Sequence, residues 1–104
     1  MSQVRIELTQ GNINWDHMYL SSVIDFFPPS SIGAKSKTDG TGQTLELHCG
    51  LDEPVFTDID GSKKLFRKRS WVKRFFKQYS LVAGDKGIIE HDGGNKYRLY
   101  PECK

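Results

Sequence analysis

The stretch "SWVKRFFKQYSLVAGDKGIIEH", Ser70–His91, decides the fold. Trp71, Val72, Phe75, Phe76 and Tyr79 fall at helical spacing and cover an arc of about 140° at 100° per residue. Lys73, Arg74 and Lys77 lie on the opposite arc. The spacing predicts a short amphipathic helix, with Ser70 as its N-cap. Ala83–Asp85 turns the chain. "KGIIEH" and "KYRLYP" then read as a hairpin about Asp92–Asn95.

Working outward, "VRIELT" (Val4–Thr9) alternates apolar and polar, as a half-buried strand does. "QGNINWDH" (Gln10–His17) is polar and turn-rich and reads as an extended loop, with Trp15 either its anchor, the preferred reading, or a stacking surface. "MYL" resumes a short strand. "SSVIDFFPPSSIG" reads as a helical turn starting near Ser21 or Ser22 and stopped by Pro28–Pro29, because the residue before proline avoids the helical region. Ala34–Gln43 is a loop rich in Gly, Ser and Thr. "TLELHC" alternates, with Leu45, Leu47 and Cys49 on one face. "PVFTDI" and "KKLFRKR" read as strands joined by a tight turn at Asp60–Gly61, where both central positions would need positive φ. The total is about seven strands and two short helices in the order βαβββαββ. Short, evenly spaced strands of this kind point to a small barrel.

The chain of 104 residues fits one domain, 1–104. Its two cysteines, Cys49 and Cys103, have no metal-type spacing and are too few for a disulfide scaffold, which points to a reducing compartment. "MSQVRIELTQ" carries charges where a signal peptide needs an apolar run. No stretch approaches the roughly 20 apolar residues of a membrane span. The expected setting is an intracellular one without membrane attachment.

Net charge is only +2, but its distribution is uneven. Residues 61–80 hold eight of the fifteen basic residues and no acid. Acids cluster at Asp52–Asp60 and Asp85–Asp92. This asymmetry predicts a polyanion-binding face.

Catalytic and metal chemistry find little support. His17, His48 and His91 and the serines sit in no recognisable nucleophile context. His48 and Cys49 are adjacent on a strand and point to opposite faces, so they do not share an ion. "DIDG" fails as a calcium loop, since Phe56 and Arg67 would occupy its first and last ligand positions. Asp58 and Asp60 share a face near an exposed hairpin tip, which is no catalytic cleft. No cofactor and no enzyme activity are expected.

The basic hairpin Lys63, Lys64, Arg67, Lys68 and Arg69 is the main functional signal. Arg can read guanine edges, and Asp can accept from the cytosine amino group. Gln10, Asn12 and Asn14 carry amides suited to adenine edges.

The run "RSWVKRFFKQYSLVAGDKGIIEH" resembles the B3 DNA-binding domain, in which a Trp-containing helix is followed by Leu-x-x-Gly-Asp and an apolar strand. The matching positions are Trp71, Phe75, Leu81, Gly84, Asp85 and Ile88–Ile89. The element order also resembles that family's mainly β (α+β) fold, a seven-stranded open β-pseudobarrel with two short helices. The plant Leu-Pro-Lys segment is absent, and "SVIDFFPPSSIG" stands in its place. The likeness is therefore closer to the DNA-recognition domains of bacterial restriction endonucleases.

That resemblance implies a sequence-specific module for double-stranded DNA, monomeric and without catalysis, partnered by a nuclease domain or subunit. The setting would be the prokaryotic cytoplasm, or the nucleus of a eukaryote. Two arms would grip the major groove. Gln10, Asn12, Asn14 and His17 would belong to the first arm, and Asp58, Asp60, Lys63, Lys64, Arg67 and Arg69 to the second. Lys35 and Lys37 would touch phosphate. The competing readings are an RNA or single-strand binder, stacking bases on Phe56, Phe66 and Tyr97, and a protein-interaction accessory factor. The alternation places those three aromatics in the core and so counts against stacking.

Overall fold

The computed structural model describes residues 2–33 and 42–102. Lys35 and Lys37, expected at phosphate, and Cys103 lie outside the described residues. Strand β1 (Gln3–Glu7) is followed by helix α1 (Gln10–Trp15) and by 3₁₀ turns at Ser21–Phe26 and Pro29–Ser31. Strands β2 (Ile32–Gly33), β3 (Leu45–His48), β4 (Val55–Thr57), β5 (Ile59–Asp60) and β6 (Leu65–Phe66) come next. Helix α2 (Ser70–Gln78) and the strands β7 (Lys86–His91) and β8 (Lys96–Pro101) complete the order.

The described strands form two sheets, one of five in the order β1-β7-β8-β3-β4 and one of three in the order β2-β5-β6. Both are mixed: β3 runs parallel to β8, and β2 parallel to β5. The architecture is a small α+β domain whose sheets do not close into a barrel. The strand count is eight rather than the expected seven, because "PVFTDI" divides into β4 and β5 in different sheets, and because β2, which forms only through its long-range pairing with β5, takes the place of the expected "MYL" strand. "MYL" contributes an isolated bridge, Tyr19 to Leu65, instead of a strand.

Helix α2 follows its periodicity. Trp71, Val72, Phe75 and Phe76 are buried, whereas Lys73, Arg74 and Lys77 are exposed. Ser70 is the first helical residue and not the cap. The cap position is Arg69, which makes no side-chain capping bond. The helix start is tied down instead by Trp71 Nε1, which donates to the Lys68 carbonyl at 2.6 Å. At the other end, Ser80 takes a left-handed φ of 50°. Its N–H donates to the Lys77 carbonyl, and the Leu81 N–H donates to the Phe76 carbonyl. This pair of bonds is a Schellman stop, which brings Leu81 back against Phe76.

A chain of ring contacts links the layers. Phe75 meets Trp71, Trp71 meets Phe66, Phe66 meets Phe27, and Phe27 meets Tyr97, all with centroids 5.5–6.2 Å apart. The core therefore runs from α2 through β6 and Phe27, just after the first 3₁₀ turn, to β8. Cys49 is buried in it, as the alternation of "TLELHC" predicts, and burial pushes its thiol pKa up to about 12.

Candidate nucleic-acid interface

Gln10–Trp15 is a helix and not the expected loop. Gly11, Asn12 and Asn14 are poor helix formers. A reciprocal cap outweighs that propensity. The Thr9 hydroxyl accepts from the Asn12 N–H at 3.1 Å, and Asn12 Oδ1 accepts from the Thr9 N–H at 2.8 Å. Asp16, at φ 53°, ends the helix. Asn12 is consequently buried, with 3% of its surface exposed, and serves the helix rather than a base edge. Gln10 and Asn14 are exposed and bonded to each other at 3.0 Å. Trp15 is 73% exposed and anchors nothing.

The β5–β6 hairpin also departs from expectation. Its connection is the four residues Gly61–Lys64 rather than a two-residue turn. Asp60 Oδ1 accepts from the backbone N–H groups of Ser62 at 2.9 Å and Lys63 at 3.1 Å. Lys64, not Gly61, takes the left-handed conformation, with φ 56°. Gly61 is required for a different reason. A Cβ there would stand 2.5 Å from the Gly33 carbonyl oxygen.

Asp58 and Asp60 are 6% and 7% exposed, so neither lies on an open tip. Arg67 Nε and Nη2 donate to the two carboxylate oxygens of Asp58 at 2.7 and 3.1 Å. The Gly42 N–H donates to Asp58 Oδ2 at 2.8 Å. Burial pushes the Asp60 carboxyl up. The Lys63 and Ser62 N–H bonds, with the charges of Arg67 and Lys63, outweigh it and hold the group below its ordinary value. The hydrogen bonds that Arg67 donates to Asp58 hold its own pKa above the ordinary value, against the effect of burial. The two acids thus brace the hairpin that presents Lys63 and Lys64, and the Arg67 guanidinium is engaged in the same brace.

The two proposed arms meet. The Leu20 N–H donates to the Lys64 carbonyl at 2.7 Å, next to the Tyr19–Leu65 bridge. Arg69 Nη1 contacts His17 Nε2, while His17 Nδ1 lies 3.0 Å from the Tyr19 hydroxyl. An Arg only donates, so this contact requires Nε2 to be the unprotonated nitrogen. Partial burial, Arg69 and Lys63 all lower the His17 pKa, against a smaller upward pull from Asp16. His17, Tyr19, Lys63, Lys64 and Arg69 therefore form one continuous surface. Among the described residues, no ion pair engages Lys63, Lys64, Lys68 or Arg69.

Charge pattern alone pointed to Lys63, Lys64 and Arg69. The sequence reading gave Trp15 as an anchor, passed over Tyr19 and placed Phe56 in the core, yet all three are exposed. The parity of β4 could have revealed the last, because Val55 and Thr57 face inward and Phe56 outward. Phe66 and Tyr97, in contrast, are core residues. No group of three or more His, Cys, Asp or Glu side chains able to hold a metal occurs among the described residues. No described helix is long and apolar enough to cross a membrane. Comparisons with protein-family models, curated proteins and solved structures gave no match.

Proposed function

We propose that the chain is a sequence-specific double-stranded DNA-binding module of the restriction-effector kind, carried on a B3-like pseudobarrel and non-catalytic by itself. The observation that carries this reading is the joined surface of His17, Tyr19, Lys63, Lys64 and Arg69, whose cations make no ion pair among the described residues. The brace fixes the backbone that carries Lys63 and Lys64, so less chain ordering is left to binding, which favours affinity. Phosphate contacts fall to Lys63 and Lys64, with Lys35 and Lys37 added by position. Base contacts fall to Arg69, His17, Gln10 and Asn14. Asp58, Asp60, Asn12 and Arg67 support the arms from within. A nuclease domain or subunit is the proposed partner, and the module acts as a monomer.

The test is a salt titration of duplex binding by the wild type and two variants. Lys63→Ala should weaken all duplexes alike and reduce the salt slope by about 1. Arg69→Ala should cost about 1–3 kcal/mol on the preferred duplex and relax its specificity at one position. Equal losses for both variants on every duplex would contradict base readout.

A second reading is favoured by three exposed rings, Tyr19, Phe56 and above all Trp15, which is 73% exposed. Exposed rings stack unpaired bases. Competition between duplex and single strand separates the two, since a stacking surface prefers the single strand and loses it with Trp15→Ala.

A further inference from the structure

A groove of about 440 Å³ lies between α1 and the end of α2, away from the β5–β6 hairpin in the lining it uses. Its apolar lining comes from Ile13 of α1, from Phe76 of α2 and from Leu81 and Val82 just beyond. Phe76 and Leu81 are buried, whereas Val82 is 58% exposed. Lys73 and Lys77 stand along the α2 side, and Asp16 stands on the α1 side. Lys73, Phe76 and Lys77 occupy positions i, i+3 and i+4, so they form one stripe along the helix, and Ser80 lies just beyond its end. Among the described residues, neither lysine makes an ion pair.

The Schellman stop explains why the groove exists. Leu81 folds back onto Phe76 and carries Val82 to the rim, where it has little cover. An amphipathic helix ordinarily turns lysines to water and needs no further reason for them. Here the lysines border an apolar trough, and that combination is the usual receiver of a charged amphipathic segment.

The geometry points to this groove as the docking site for an acidic amphipathic segment of a partner protein. The segment places one or two apolar side chains over Phe76 and Val82. Its carboxylates face Lys73 and Lys77, and its opposite edge, toward Asp16, is neutral or basic. Charge complementarity chooses this occupant, because two cations face one anion across the trough. The site uses neither His17 nor the hairpin cations, so it stands whether or not the chain binds DNA.

The test pans a phage-displayed random peptide library against the intact folded chain. Selected peptides are then synthesised and titrated. The expected peptides carry net negative charge and at least one large apolar residue. Val82→Ser, and separately Lys73→Glu with Lys77→Glu, should weaken their binding by about tenfold or more. Both variants alter exposed positions, and matching circular dichroism melts establish that they are folded. Neutral or basic consensus peptides, unchanged affinity in both variants, or no enrichment over Val82→Ser would overturn the proposal. So would a result in which the Lys73→Glu, Lys77→Glu variant loses duplex binding while the library yields no acidic peptide. Loss of duplex binding through Lys63→Ala or Arg69→Ala bears only on the DNA reading.

Discussion

Arg67 donates to both carboxylate oxygens of Asp58, from Nε at 2.7 Å and from Nη2 at 3.1 Å. The two side chains are only 11% and 6% exposed, so this is close to a buried pair. Removing one partner strands the other charge. Asp58→Ala should lower unfolding stability by about 2–3 kcal/mol, short of the roughly 3–5 kcal/mol of a fully buried pair because the guanidinium keeps some water contact. The double variant Asp58→Leu with Arg67→Met should recover part of that loss. Urea unfolding measures both. A double variant no better than the single one would show that the Gly42 bond, and not the stranded charge, is the larger effect.

Gly61 separates two explanations of a glycine. A turn residue at positive φ disfavours a Cβ for conformational reasons, whereas a Cβ at Gly61 would stand 2.5 Å from the Gly33 carbonyl oxygen and 3.1 Å from Ile32 Cγ2. Gly61→Ala reduces unfolded-chain entropy, a gain of about 0.4–1 kcal/mol. The clash with backbone is the larger effect, about 1–3 kcal/mol. The expected result is net destabilisation by thermal melt, with exchange protection lost at the Gly61 N–H.

Ser80 is the opposite case, with φ 50° in a helix stop that glycine usually fills. Ser80→Gly should stabilise by about 0.5–1 kcal/mol, and the β-branched Ser80→Val should destabilise. Chemical denaturation of the pair checks the sign. It also reports on the groove, since the same stop positions Leu81.

His17 gives a pH dependence. Its pKa is lowered on folding from 6.5, so the unfolded chain binds the proton more readily. Stability should therefore be unaffected above pH 6.5 and should fall as pH drops below it, levelling off under the folded-state pKa. The groups that face the ring are Arg69, Lys63, Asp16 and Tyr19. Asp60 acts at lower pH. Its lowered carboxyl stabilises the fold above 3.8, and that contribution is lost as pH falls through its folded value. Subtracting the stability profile of His17→Gln from that of the wild type isolates the first effect. A flat difference between pH 5 and 7 would remove His17 from the account.

The legible parts of this fold are those where side-chain period decides the structure. Trp71, Val72, Phe75 and Phe76 repeat at helical spacing, and α2 follows. Tyr97 and Leu99 alternate into β8, which pairs with β7 about a glycine-rich turn. The illegible parts depend on partners distant in sequence or on hydrogen bonds that override propensity. Nothing in "QGNINW" favours a helix until Thr9 and Asn12 are seen to cap each other. Asp58 reads as a surface acid until Arg67, nine residues on, folds over it. The DG pair reads as a tight turn until Gly61 is found packed on the backbone of β2. At the candidate site, charge made Lys63, Lys64 and Arg69 visible. Only tertiary pairing shows that His17 joins them and that Arg67 is held away.

The most direct measurement is selection of the purified chain on a random-sequence duplex pool at about 100–150 mM salt, where nonspecific phosphate contacts are already weakened. The expected result is a short enriched motif whose information is lost at one position in Arg69→Ala and kept in Lys63→Ala. A pool that binds without enrichment, or does not bind at all, would contradict sequence-specific duplex recognition.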